Sequence, residues 1–109
     1  MDAIVVFVTT SSEEEAAALA KLLVAQHLVA CVNVLPKVKS FFQWEGEISE
    51  EEEYLMILKT RMPLFNTLKK AITAHHSYDV PEIIALPIVQ GSETYLSWVQ
   101  DMTSKSNIS

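Results

Sequence analysis

His75 and His76 are the residues of this chain best suited to hold a metal ion, since a neutral imidazole nitrogen binds copper(II) and zinc well. Neighbouring side chains on a regular helix point about 100° apart, so one helix does not easily bring both rings to one ion. A helix end, or an axis between copies of the chain, relaxes that constraint. The competing reading is that the pair caps the last carbonyls of a helix and favours its negative end. Cys31 is a soft donor, but it sits among apolar neighbours, where a free cysteine packs as a small hydrophobe. His27 falls at a helix end and reads as a cap or packing residue rather than a ligand. Glu50 to Glu53 places four carboxylates in a row, yet strand residues alternate faces, so the four do not converge on one ion. They read as a solvated edge that discourages unwanted strand pairing. Phe41, Phe42 and Trp44 are either an aromatic platform for a ligand or a contact with another subunit.

Motifs for common catalysis are missing: there is no nucleophile elbow, phosphate loop or HExxH sequence, and the expectation is a binding protein, not an enzyme. One cysteine excludes an intramolecular disulfide framework and any CxxC site. Eight Lys and Arg against 14 Asp and Glu give a net charge of −6, which argues against a nucleic-acid partner. No apolar run approaches the roughly 18 residues of a membrane span, and no basic stretch precedes Ile4. The expectation is a cytoplasmic protein with no membrane partner. With 109 residues, half of them apolar, the chain fits one domain over 1–103, with 104–109 as a frayed tail.

The elements that position these residues follow from hydrophobic period. Ile4 to Thr10 is a β-branched run suited to the centre of a sheet. Ser12, with Glu15 three residues on, predicts a capping box that opens a helix over about 12–27. From Val29 to Trp44 the period is two, with the even positions nearly all apolar, and Pro36 within it implies a bulge or an edge. A turn at Glu45-Gly46-Glu47 and a returning strand from Tyr54 to Arg61 complete a long hairpin. Pro63 suits the first turn of a second helix, with Leu64, Phe65, Leu68, Ala71 and Ile72 as its buried stripe. Val80 to Val89 predicts a fourth strand whose Pro81 and Pro87 suggest an edge or a bulge, and Ser92 caps a short third helix. The order is β-α-β-β-α-β plus a C-terminal helix. This is an α+β, ferredoxin-like fold: an antiparallel four-stranded sheet under two helices, with a long β2-β3 hairpin. That hairpin overhangs so small a domain, and its aromatic tip implies a protein partner, most economically further copies of the chain.

The segments ACVNVLPKVKSFFQWEGEI, ILKT, HHSYDVPEIIALPI and YLSWV, in this order and spacing, resemble the CutA divalent-cation-tolerance family over about residues 3–101. The resemblance implies a homotrimer in which hairpin arms wrap neighbouring subunits, with Phe41, Phe42 and Trp44 at the interface. It also implies copper(II) binding, in response or tolerance to divalent metal ions, and a PII-like assembly with small-ligand clefts between subunits. Lys59, Tyr78, Asp79, Glu82 and Trp98 match positions around such a cleft. They bind either a small molecule, with Lys59 favouring an anion or zwitterion, or one another as a polar network. Two departures stand out. The family's His-Pro-Tyr is His76-Ser77-Tyr78 here, and a cysteine that copper-binding relatives can carry matches Val8.

Overall fold

The computed structural model describes residues 2–104, so all of the 104–109 tail except Ser104 lies outside the described residues. The elements are β1 (Ala3–Thr10), α1 (Glu13–Ala25), β2 (Cys31–Trp44), β3 (Glu47–Arg61), α2 (Phe65–His75), β4 (Ile83–Pro87) and α3 (Glu93–Thr103). A single 3-10 turn, Met62–Leu64, carries Pro63 into α2. The four strands form an antiparallel sheet in the order β2-β3-β1-β4, so the β-branched β1 run is central and both proline-bearing strands are edges. This is the expected α+β arrangement.

Each helix begins as its sequence dictates. The Ser12 hydroxyl accepts from the Glu15 amide at 3.1 Å, and the Ser92 hydroxyl accepts from the Tyr95 amide at 3.3 Å, satisfying donors that a helix start leaves free. Helix α1 closes at His27, whose φ of 58° is left-handed and whose Nδ1 donates to the Met102 carbonyl at 3.1 Å. His27 is thus the cap its position suggested.

The core lies between one sheet face and helices α1 and α2. Ile4, Val6 and Val8 of β1 and Met56 and Leu58 of β3 meet Leu19 and Leu23 of α1 and Leu68 and Ile72 of α2. Val8 is fully buried there. Opposite, α3 covers one end of the second face, where Arg61 Nε donates to Thr103 Oγ1 at 2.9 Å. The rest of that face carries Leu35, Leu55, Ile57, Ile84 and Leu86, and none of these is fully buried.

Two boundaries move from their sequence expectation. Strand β3 starts at Glu47 rather than Tyr54, because the glutamate run pairs with β2 in unbroken register from Glu53 opposite Val38 to Glu47 opposite Trp44. Strand β4 spans only Ile83–Pro87, the stretch opposite Ile4–Val8 of β1.

Candidate functional site

A bulge in β2 decides which side chains meet. Leu35 pairs with Leu55 and Val38 with Glu53, so two β2 residues, Pro36 and Lys37, oppose Tyr54 alone. Lys37 absorbs the extra residue with a left-handed φ of 60°. Before the bulge, Val32 and Val34 share the core face with Leu58 and Met56; beyond it the even positions change sides. The uniform even-numbered face expected from Val29 to Trp44 is therefore two faces. Ser40, Phe42 and Trp44 lie opposite Glu51, Ser49 and Glu47 on the side away from the helices.

The bulged arm leans over the segment that leads into β4, and a cavity of about 660 Å³ opens between them. Phe41, Phe42, Trp44, Glu51 and Glu53 form its arm wall. Tyr78, Asp79, Val80 and Glu82 form the other, with Thr9 between. The walls are tied by the Tyr78 hydroxyl, which donates to Glu53 Oε2 at 2.7 Å. Burial, then the Glu53 hydrogen bond and the charges of Glu53, Glu15 and Glu51, pushes the Tyr78 phenol well above its ordinary range. Glu53 is only 8% exposed. It is not part of a solvated edge, as the glutamate run suggested, but a buried acceptor. The alternation that separates Glu51 and Glu53 from Glu50 and Glu52 was the available signal.

Tyr78 is aimed by His76, whose side chain is fully buried. Nε2 donates to the Thr9 carbonyl at 2.8 Å and Nδ1 accepts from the Tyr78 amide at 3.0 Å, and the two rings lie 4.8 Å apart. His75 instead lies exposed at the end of α2, where Nδ1 donates to the Ala71 carbonyl at 2.9 Å. The helix-capping bond is therefore made by His75, and its Nε2 is the nitrogen left facing solvent. Among the described residues no three His, Cys, Asp or Glu side chains converge closely enough to hold a metal ion.

Ser77 stands where a proline would have no N–H. Its amide donates to Glu15 Oε2 at 2.7 Å and its hydroxyl to Glu15 Oε1 at 3.1 Å. Burial raises the Glu15 carboxyl, but the hydrogen bonds from the Ser77 amide and hydroxyl outweigh it and hold it below the usual carboxylate value. A tether from α1 thus fixes the segment that a proline ring would have stiffened.

The constellation expected around one cleft divides within the chain. Tyr78 and Glu82 line the cavity with Asp79. Lys59 lies six residues beyond Glu53 along β3, about 20 Å away at strand rise. It donates to Asn33 Oδ1 and sits opposite Cys31. Cys31 lies near the Tyr95 phenol, and the Tyr95 ring lies 5.7 Å from exposed Trp98 on α3. Lys59 and Trp98 therefore belong to the α3 end of the sheet. Within one chain the cavity is lined by carboxylates and aromatic rings and does not include Lys59.

Comparison with known proteins places this geometry. Residues 4–102 match the family described as CutA1 divalent ion tolerance protein. The divalent-cation tolerance protein CutA of Thermus thermophilus is 46% identical over 91% of this chain and 96% of its own. The chloroplastic CutA of Arabidopsis thaliana is 45% identical over 94% of this chain, which spans 57% of that relative's length. The solved structure of the periplasmic divalent cation tolerance protein CutA of Archaeoglobus fulgidus superposes with a TM-score of 0.90 at 40% identity, covering 93% of this chain and 98% of that one.

Proposed function

The chain belongs to the CutA1 divalent ion tolerance family, and from that premise we propose a homotrimer that binds a divalent metal ion, copper(II), in tolerance to such ions. The observation that carries this reading is the family match across nearly the whole domain, reinforced by relatives named for divalent-cation tolerance. The chain acts by binding and not by catalysis. His75 is the first ligand, through its solvent-facing Nε2. His76 joins only by giving up its bond to Thr9 or to Tyr78, so its participation is coupled to a local rearrangement. Further donors come from outside this cluster, as His75 of another copy would be at a symmetry axis.

Calorimetric titration of the assembled protein with copper(II) and zinc tests the reading. Copper(II) is expected to bind more tightly than zinc, and binding is expected to weaken on acidification because imidazole must be neutral to ligate. His75→Ala should weaken copper(II) binding at least tenfold. Undiminished binding by that variant removes His75 from the site and leaves it as a helix cap.

The cavity favours a second reading: a PII-like regulatory trimer that binds a small molecule. Its volume of about 660 Å³ is within the range of small-molecule sites, and its aromatic walls with a few polar groups match their composition.

A further inference from the structure

We infer that the outer surface of helices α1 and α2 around Lys21, Lys69 and Lys70 is a docking surface for an acidic segment of a partner protein. The inference stands apart from the metal and small-molecule readings above. It begins from where the charges lie. The stretch from Tyr54 to Tyr78 holds none of the chain's 14 Asp and Glu, yet it carries Lys59, Arg61, Lys69 and Lys70, half of the eight Lys and Arg. Lys59 and Arg61 are engaged at the α3 end of the sheet, with Asn33 and Thr103. Lys69 and Lys70 are exposed in the middle of α2.

The fold adds Lys21 to them. Strands β1 and β3 are antiparallel and each feeds one helix, so α1 and α2 run antiparallel. The Glu15 carboxylate meets Ser77 where α1 begins and α2 ends. From that junction, exposed Lys21 lies about 9 Å along α1 and Lys70 about 10 Å back along α2, at helical rise. The three lysines therefore stand at one level, and no acid answers them. No Asp or Glu stands three or four residues from any of them on its own helix. None of the three makes an ion pair among the described residues, where the pairs are Lys39 with Glu50 and His76 with Glu15. Along α1, Glu15 is about 9 Å from Lys21, and charges this far apart are screened over about 8 Å at physiological salt. The surface lies across the helix layer from the core, so it points away from the sheet face that other copies would cover in the proposed trimer.

The neighbours of the lysines select the partner. Ala17, Ala18, Ala25, Asn66 and Thr73 are exposed, and such short side chains let another backbone approach while offering nothing large to insert into lipid. Lysine supplies a point charge rather than the two-pronged grip of arginine, which suits carboxylates presented loosely along a peptide. The net charge of −6 opposes the long phosphate array of a nucleic acid, whereas a short acidic segment meets chiefly the local field.

The test follows a dye-labelled peptide of six glutamates by fluorescence anisotropy on the intact protein at low salt. Its glutamine counterpart and vesicles containing phosphatidylserine are the comparisons. The glutamate peptide is expected to bind saturably, at least tenfold more tightly than the glutamine peptide, and to be released as salt is raised. Lys69→Gln with Lys70→Gln should weaken it at least tenfold. Lys37→Gln with Lys39→Gln, an equal loss of charge at exposed positions of the arm, should change it less than twofold. Equal weakening by the two pairs would mean that net charge, and not this surface, binds the peptide. Vesicle binding that needs Lys69 and Lys70, without peptide binding, would make the partner a membrane. Binding of neither probe would leave the lysines as a solvated face. Each of these three results overturns the inference, and the probe comparison on the unaltered protein stands even if a variant does not fold.

Discussion

Two backbone groups fix the state of the buried His76 ring: the Thr9 carbonyl only accepts and the Tyr78 amide only donates, which sets the proton on Nε2. The adjacent pair His75-His76 is legible as chemistry in the sequence, but their division of labour is not, because it depends on Thr9, 67 positions away. Glu15 was half legible. Its amide makes the expected bond to Ser12, while its carboxylate leaves the capping box for Ser77. That choice has a pH signature. The Glu15 carboxyl is held below its ordinary value of 4.5, so its contribution is complete above that pH and is lost as pH falls through the lower, folded-state value. Glu15→Gln should cost about 1 kcal/mol near neutrality, where charge-assisted bonds to Ser77 are replaced by weaker ones. Chemical denaturation at pH 7 and near pH 3 checks this: the gap between wild type and variant should close at the lower pH. A gap that persists unchanged would mean that the Glu15 charge contributes nothing to the tether.

The hairpin shows why alternation alone misplaces a strand's faces. Pro36 announced a bulge or an edge, and β2 has both, yet one residue of slippage exchanges the faces of everything beyond it. The sequence carries no mark of which side Phe42 and Trp44 then take. Glutamates are also poor strand formers, which hid nearly the first half of β3, Glu47 to Glu53. Deleting Lys37 restores one-for-one pairing; Phe42 and Trp44 keep Ser49 and Glu47 as partners and so keep their face, but the local bend that the bulge gives the arm is lost. The helix-covered core should persist, because its strand residues, Ile4 to Val8 and Met56 to Leu58, lie on the other side of the bulge. The expected result is a retained circular-dichroism spectrum with a lower melting temperature, because the straightened arm no longer holds Glu53 against the Tyr78 hydroxyl. If the melting temperature is unchanged, the bulge does not set where the arm lies.

At the scale of the whole molecule, the second sheet face is the feature that one chain leaves unfinished. Helix α3 covers one end of it, and beyond that end Ile84 and Leu86 are about half exposed, at 51% and 49%. On the arm, Phe41, Trp44 and Ile48 are exposed at 64%, 63% and 78%. Apolar surface on this scale, together with a 14-residue edge strand in β2, is an aggregation hazard unless other copies cover it. This is the physical content of the homotrimer we propose, and a substitution can separate assembly from folding. Ile84 pairs with Phe7 on the open face, while its neighbour Ile83 packs against the core. Ile84→Glu therefore places a charge at a position where the isolated chain already meets water. Its cost to the monomer fold should stay within about 0.5 kcal/mol, as for other exposed sites. Within a closed assembly the same carboxylate would be buried without a partner, which is far more costly. Light scattering should give about three times the 12.2 kDa of one chain for the wild type and a shift towards one chain for Ile84→Glu, with the circular-dichroism spectrum of a folded protein. A wild type that scatters as a single chain, or an Ile84→Glu variant that assembles as well as the wild type, would mean that this face is not where copies meet.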